Sequence, residues 1–159
     1  MRNSTISELR RLFEQSIPAS SIAEPLASFD REAPTQATLE FMGSAGFDIL
    51  GIRENGLTTA LVRREELHEA QSIVDVMHPI TPDLTIAEGG SLLEAVREVS
   101  ERGYIFVSSL GQATGIITRA DLAKAPVRMW LFNLVTLLEM RMLLTIRECL
   151  PGDDWLPFL

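Results

Sequence analysis

The spacing of apolar residues predicts helices and strands that alternate along the chain. Near the start, four apolar side chains share one helical face and predict a helix within residues 1–15: Ile6, Leu9, Leu12 and Phe13. Prolines then break the chain into extended segments. We expect a second helix to follow Pro34 and to end near Gly46, because glycine is the usual residue at a helix C-terminus.

A hairpin is predicted directly after the second helix. Asn55-Gly56 separates two apolar runs, at residues 47–52 and 57–62. An Asn-Gly pair in that position is the strongest short-range signal for a two-residue β-turn. Two antiparallel strands are therefore expected here.

The second half of the chain repeats the order helix, strand, strand. A helical pattern ends at Gly103, and two strands follow on either side of Leu110-Gly111. Gly111 follows Gly56 by almost the same number of residues as Leu93-Glu94 follows Leu39-Glu40. An offset kept through helix, turn and strand predicts a tandem repeat, which we place at residues 16–70 and 71–124.

The last long element, Val127 to Cys149, is apolar almost all round. Such a helix must be covered on more than one side, which predicts a homodimer interface or, alternatively, a helix sandwiched within one chain. Its interior charges, including Glu139 and Arg141, argue against a single membrane span. We expect Cys149 to be a buried, inert thiol. The apolar end at residues 155–159 suggests that the protein continues beyond it.

Charge and cysteine content narrow the classes of partner and compartment. The chain of 159 residues has 14 basic and 22 acidic residues and a formal net charge of −8, which disfavours nucleic acid and anionic membranes as partners. Its single cysteine excludes an intramolecular disulfide, and a reduced, cytoplasmic location is expected.

The most informative short stretch is GIITRADL, residues 115–122. It predicts a strand that ends at Thr118 and a short helix with Asp121 in its first turn. A hydroxyl and a carboxylate at such a junction suit a nucleotide: free backbone N–H groups and the hydroxyl for phosphate, the carboxylate for two ribose hydroxyls. Gly115 would let a ligand or another backbone approach the strand. The competing interpretation is an ordinary helix cap.

GIITRADL resembles the signature of the CBS domain, named after cystathionine β-synthase, and the repeat strengthens the resemblance. The resemblance implies an α+β fold of two βαββα repeats packed about a pseudo-two-fold axis. It also implies that the clefts hold AMP, ADP or ATP, or related adenosyl ligands, as regulatory ligands, with no cofactor required. The sequence after residue 124 is similar to that of bacterial members.

Carried over residue by residue, the resemblance assigns roles to one cleft. Thr118 would contact phosphate or ribose, and Asp121 would hold the ribose hydroxyls. The strand Tyr104-Ile105-Phe106 would lie against the base.

The first repeat departs from the signature. When Gly56 is aligned with Gly111, Arg63 and Glu66 stand in the places of the threonine and the aspartate. Glu66 could still reach a ribose, and Arg63 could bind phosphate, or this cleft could be empty. We therefore expect one good cleft. The candidates for phosphate recognition are Arg63, Arg64 and Arg119. The alternative interpretation is that these arginines are solvated surface charges.

The sequence gives little support to catalysis. His68 and His78 have no metal-binding spacing around them, and no phosphate-binding glycine loop is present in the sequence. We expect a regulatory adenine-nucleotide-binding module without catalytic activity. The alternative is a structural or dimerisation module whose clefts are empty.

Overall fold

A computed structural model of the chain describes residues 17–150 together with residues 8, 9 and 11. Those three residues are helical, and the rest of the predicted N-terminal helix lies outside the described residues, as does the apolar end at 155–159. The first half contains these elements: β1 (Glu24–Pro25), β2 (Ser28–Asp30), α1 (Thr35–Ala45), β3 (Ile49–Glu54), β4 (Leu57–Arg63), α2 (Arg64–Leu67) and α3 (Ile73–Val76).

The second half has the same order and ends in a long helix. Its elements are β5 (His78–Pro79), β6 (Thr85–Ala87), α4 (Leu92–Arg102), β7 (Tyr104–Ser109), β8 (Gln112–Thr118) and α5 (Ala125–Cys149). Short 3-10 turns lie at Ala19–Ser21, Pro82–Leu84 and Arg119–Ala123. The last of these follows β8 directly, at the place where the sequence predicts a short helix.

The strands form two four-stranded sheets of matching topology. Their orders are β1-β8-β7-β6 and β2-β3-β4-β5. In each sheet the strand before the long helix pairs in parallel with the strand after it, and the hairpin is antiparallel. The α+β fold of two pseudo-two-fold related repeats, followed by a long apolar helix, is confirmed.

Each sheet takes its shortest strand from the segment that precedes the other repeat. β1 pairs with β8, where Pro25 lies opposite Gly115. β5 pairs with β4, where His78 lies opposite Leu61. The apolar cores follow the same exchange: Ile22 packs in the core of the second repeat, and Ile73 in the core of the first. The packing units therefore do not coincide with the contiguous ranges 16–70 and 71–124.

Both hairpin turns have the predicted geometry. Asn55 and Gly56 have φ of 51° and 81°, and Leu110 and Gly111 have φ of 51° and 80°. Positive φ at both central residues matches the right-handed twist of the flanking strands. Leu110 is a leucine in a conformation that favours asparagine or glycine, and its side chain is fully exposed.

The number of residues that separates the corresponding helices α1 and α4 differs from the number that separates the corresponding strands β4 and β8. The offset between the starts of α1 and α4 is longer than the offset between the starts of β4 and β8, not shorter. The predicted match of Leu39-Glu40 with Leu93-Glu94 is therefore wrong. The cause is an insertion, Phe47-Asp48, between Gly46 and β3, since β7 begins directly after Gly103.

α5 is mostly exposed, so the interpretation that it is sandwiched within one chain is wrong. Of its residues, Val127, Trp130 and Leu137 are buried, and the first two belong to the apolar core of the second repeat. Cys149 is exposed, which corrects its predicted burial. By length and composition alone α5 would suffice to cross a membrane.

Candidate functional site

A cavity of about 780 Å³ lies between the two repeats at the end of β8. One wall is the connection from β1 to β2, residues 24–27, and another is the turn from α1 to β3, residues 46–49. The second repeat contributes residues 103–104, Ile116 and residues 118–121. The predicted Thr118–Asp121 junction therefore faces a cavity built by both repeats.

Thr118 and Asp121 close a tight box at this junction. The Asp121 Oδ2 atom accepts hydrogen bonds from the Thr118 backbone N–H at 2.7 Å and from the Thr118 hydroxyl at 2.9 Å. Asp121 is 6% exposed although it lines the cavity. The helix-cap interpretation is thus part of the structure, and the same carboxylate is also available to the cavity.

Lys124 is the cation that balances this buried carboxylate. Its Nζ atom lies 2.9 Å from Asp121 Oδ1, donates to the Ile22 carbonyl at 2.7 Å and bonds to the Glu24 carboxylate. Burial alone would raise the pKa of Asp121, but the hydrogen bonds from Lys124 and Thr118 outweigh it and hold that pKa below its ordinary value. Burial lowers and the two carboxylates raise the pKa of Lys124, with a net increase.

These contacts limit what Asp121 can offer a ligand. An ionised carboxylate has about four acceptor positions, and Thr118 and Lys124 occupy three of them. One position on Oδ1 is left. The expected pair of ribose hydrogen bonds therefore becomes one, unless the ligand displaces Lys124.

Gly115 allows another backbone segment to approach its strand, which is one of the two roles predicted for it. A Cβ atom at this position would lie 3.1 Å from the Glu24 carbonyl oxygen. β1 can approach β8 this closely because residue 115 has no side chain, and the approach brings residues 24–27 to the cavity wall.

The strand predicted to lie against the base contributes one residue to the cavity. Tyr104 lines it, half-buried. Ile105 points into the core of the second repeat, and Phe106 is fully buried with its ring centroid 5.6 Å from that of Tyr104. Ile105 and Phe106 therefore lie outside the cavity lining, and Phe106 packs against the Tyr104 ring.

The corresponding residues of the first repeat are paired with one another. Arg63 Nη1 donates to Glu66 Oε1 at 3.0 Å, and Glu66 Oε2 lies 2.7 Å from His78 Nε2. Arg63 also donates to the Tyr104 hydroxyl at 3.3 Å, across the two repeats. Arg63 and Glu66 lie outside the cavity lining, and His78 occupies the place that Glu24 has in the other half.

Hydrogen bonds also shift the pKa values in this second cluster. The Tyr104 hydroxyl and then the Glu66 carboxylate raise the pKa of Arg63. Burial would raise the pKa of Glu66, but the bonds to His78 and Arg63 lower it below the ordinary value. Glu66 is therefore held as a carboxylate by its own neighbours.

The three candidate phosphate arginines have different surroundings. Arg64 Nη2 is ion-paired with Asp48 Oδ1 at 2.7 Å, and Arg63 is held as described. Arg119 lines the cavity, is exposed and has no ion-pair partner within the described part of the chain. The structure brings Arg119 to the Thr118–Asp121 site but keeps Arg63 and Arg64 on other carboxylates.

Sequence reasoning missed several residues at the site. Lys124 and Glu24 meet although they lie at opposite ends of the paired repeats in the sequence, and Phe47 and Asp48 line the cavity through the insertion. The insertion could have been found by aligning the helix-ending glycines Gly46 and Gly103. No local pattern marks the contact of Lys124 with Glu24.

No family model matches the sequence, and no curated protein matches it. Solved structures do match. The CBS domain of a bacterial CNNM/CorC family Mg²⁺ transporter in complex with ATP is similar over 77% of this chain and 94% of that chain, with a TM-score of 0.59 and 14% identity. The chain has the fold of a CBS domain pair.

Two further CBS pair matches extend across kingdoms. CBSX2 from Arabidopsis thaliana, in complex with AMP, matches 70% of this chain and 97% of its own, with a TM-score of 0.60 and 17% identity. A putative acetoin utilization protein from Vibrio cholerae matches 78% of this chain and 96% of its own, with a TM-score of 0.58 and 19% identity. At these identities the likeness is one of fold.

Proposed function

We propose that the chain is a regulatory module that binds an adenine nucleotide or related adenosyl compound between its CBS repeats. The observation that carries the proposal is a cavity between two repeats with a buried carboxylate, Asp121, on its wall. Similar CBS pairs have been solved with ATP, with AMP, and with 5′-methylthioadenosine and S-adenosyl-L-methionine. The module has no catalytic activity of its own and works in the bacterial cytoplasm.

The lining residues suggest how such a ligand would bind. Asp121 Oδ1 would accept one ribose hydroxyl, and the Tyr104 ring would face the base. Arg119 would contact a phosphate. One charge-assisted hydrogen bond contributes about 1.5–3 kcal/mol, so the base and phosphate contacts must supply most of the affinity.

Lys124 would couple ligand binding in the cavity to the start of α5. It is the residue that precedes α5, and its Nζ atom contacts Asp121 on the cavity wall and Glu24 of β1. A ligand that competes for Asp121 therefore changes the contacts that join β1, the cavity and the start of α5. Binding that differs between two arrangements shifts the population between them.

The test is a thermal-shift panel of adenine compounds followed by calorimetric titration. A ligand at a hundredfold excess over its Kd should add about 2.7 kcal/mol of stability. Asp121→Ala and Thr118→Val should weaken binding, and Glu66→Gln, outside the cavity lining, should not. Because Asp121→Ala also removes a helix cap, its fold is checked by circular dichroism. Unchanged affinity in both folded variants would contradict the proposal.

We propose that a second copy of the chain covers the exposed face of α5. Four apolar side chains, each about half exposed, follow a 4-3-4 spacing along it: Leu131, Val135, Leu138 and Met142. That spacing is the seam of two packed helices, and a two-fold pair buries both copies of it at once. This dimer is also what the alternative function, a dimerisation module with empty clefts, requires.

Light scattering after size-exclusion chromatography tests the dimer. Leu138→Glu should give a monomer, whereas Leu110→Glu, at an even more exposed leucine on a hairpin tip, should leave the dimer intact. A wild-type monomer that pellets with lipid vesicles would instead identify a membrane as the cover of α5.

A further inference from the structure

We infer that the cavity selects an adenine nucleoside with at most one phosphate over ADP and ATP. The inference rests on the proposed function, because it concerns the ligand of the same site. It follows from the positions of the charges around the cavity and from the Phe47-Asp48 insertion.

Among the described residues near the cavity, few cationic side chains are available to bind a phosphate. Of the three arginines near the junctions, Arg119 alone lines the cavity, and it has no ion-pair partner in residues 17–150. Arg64 lies 2.7 Å from Asp48, and Arg63 lies 3.0 Å from Glu66. Releasing Arg64 toward a phosphate leaves Asp48 unpaired on the cavity wall, and releasing Arg63 breaks its bonds to Glu66 and to the Tyr104 hydroxyl. The attraction gained is then offset by a new repulsion or by the lost bonds.

The cavity wall itself is acidic. Glu24, Asp48 and Asp121 line it, and Arg119 is the one cationic side chain among the described lining residues. Lys124 serves both Glu24 and Asp121, so one ammonium balances two carboxylates. Arg119 can meet one phosphate. The β- and γ-phosphates would add charge to a site with no further cation to receive them.

The insertion supplies part of this acidity and an apolar surface beside it. Phe47 and Asp48 both line the cavity, whereas the second repeat has no equivalent residues. Phe47 is 38% exposed, and its ring centroid lies 5.9 Å from that of Phe41, which holds it in place. An exposed ring beside a carboxylate suits an uncharged heterocycle better than a polyphosphate.

Calorimetric titration of the full chain with adenosine, AMP, ADP and ATP, at constant ionic strength and without Mg²⁺, tests this inference. AMP or adenosine should bind at least about tenfold more tightly than ATP, as expected for uncompensated charges a few ångströms apart. Asp48→Asn should narrow the gap between AMP and ATP. Asp30→Asn, which removes a similarly exposed partner of Arg53 outside the cavity lining, should leave the gap unchanged.

The outcomes separate this inference from the proposed function. Binding of ATP as tight as that of AMP overturns the charge selection but leaves a nucleotide site. Binding of none of the four compounds overturns the inference, and the proposed function falls as well if 5′-methylthioadenosine and S-adenosyl-L-methionine also fail to bind. An equal effect of Asp30→Asn and Asp48→Asn would show that total charge, and not the insertion, sets the preference, and this would also overturn the inference.

Discussion

Replacing Lys124 with methionine removes the cation that joins three parts of the fold. In the native chain its Nζ atom contacts the Ile22 carbonyl, the Glu24 carboxylate and the Asp121 carboxylate. Methionine keeps the length of the side chain but donates no hydrogen bond. Asp121, 6% exposed, would then keep its charge with only Thr118 to compensate it.

The expected cost follows from these contacts. A hydrogen bond to a charged group is worth about 1.5–3 kcal/mol, and the Lys124 side chain is 32% exposed, so solvent screening reduces the total to about 1–3 kcal/mol. For a chain of this size that corresponds to a fall in melting temperature of roughly 2–10 °C.

Urea denaturation of Lys124→Met, Asp121→Asn and the double variant measures the interaction directly. We expect a coupling energy of about 1 kcal/mol or more between the two positions. Arg53→Met is the matched control, because the ion pair of Arg53 with Asp30 is on the surface, and it should change the midpoint little. Zero coupling, or a Lys124→Met effect no larger than that of the control, would refute the reasoning.

Three further predictions concern the turn, the strand contact and the pH dependence. Gly115→Val should destabilise the fold by about 1–3 kcal/mol in chemical denaturation, because even a Cβ atom would lie 3.1 Å from the Glu24 carbonyl oxygen; no loss would contradict the β1–β8 contact. Leu110→Asn, which copies Asn55 at the other turn, should stabilise the chain by about 0.5–1 kcal/mol in the same assay, and a loss would argue against positive φ at this leucine. Because the pKa of Asp121 is depressed in the folded state, the wild type should be more stable than Asp121→Asn near pH 6 and should lose this advantage as pH falls below about 4; a constant difference in midpoints would contradict the shift.

The repeat and its turns could be predicted because their signals are local. Asn55-Gly56 and Gly103 act within a few residues, through positive φ that other side chains adopt at a cost. The Thr118–Asp121 junction was found in the same way, since a strand end and a helix cap both have short patterns. These features predicted a cleft at the end of β8, where the structure has a cavity.

Contacts between residues far apart along the chain could not be predicted from the sequence. Nothing near residue 124 indicates that Lys124 meets Glu24, and nothing near β1 indicates that it completes the sheet of the second repeat. Cys149 was predicted buried from the apolar pattern of its helix, but that pattern cannot say whether the cover belongs to the same chain. The partners of Arg63 and Arg64 were missed because ion pairs depend on the packed fold.

A crystal structure determined with AMP tests the central claim most directly. The account predicts one AMP per chain in the cavity between the repeats, with a ribose hydroxyl within hydrogen-bond distance of Asp121 and the phosphate at Arg119. An empty cavity at saturating AMP, or AMP bound instead beside Arg63 and Glu66, would contradict it.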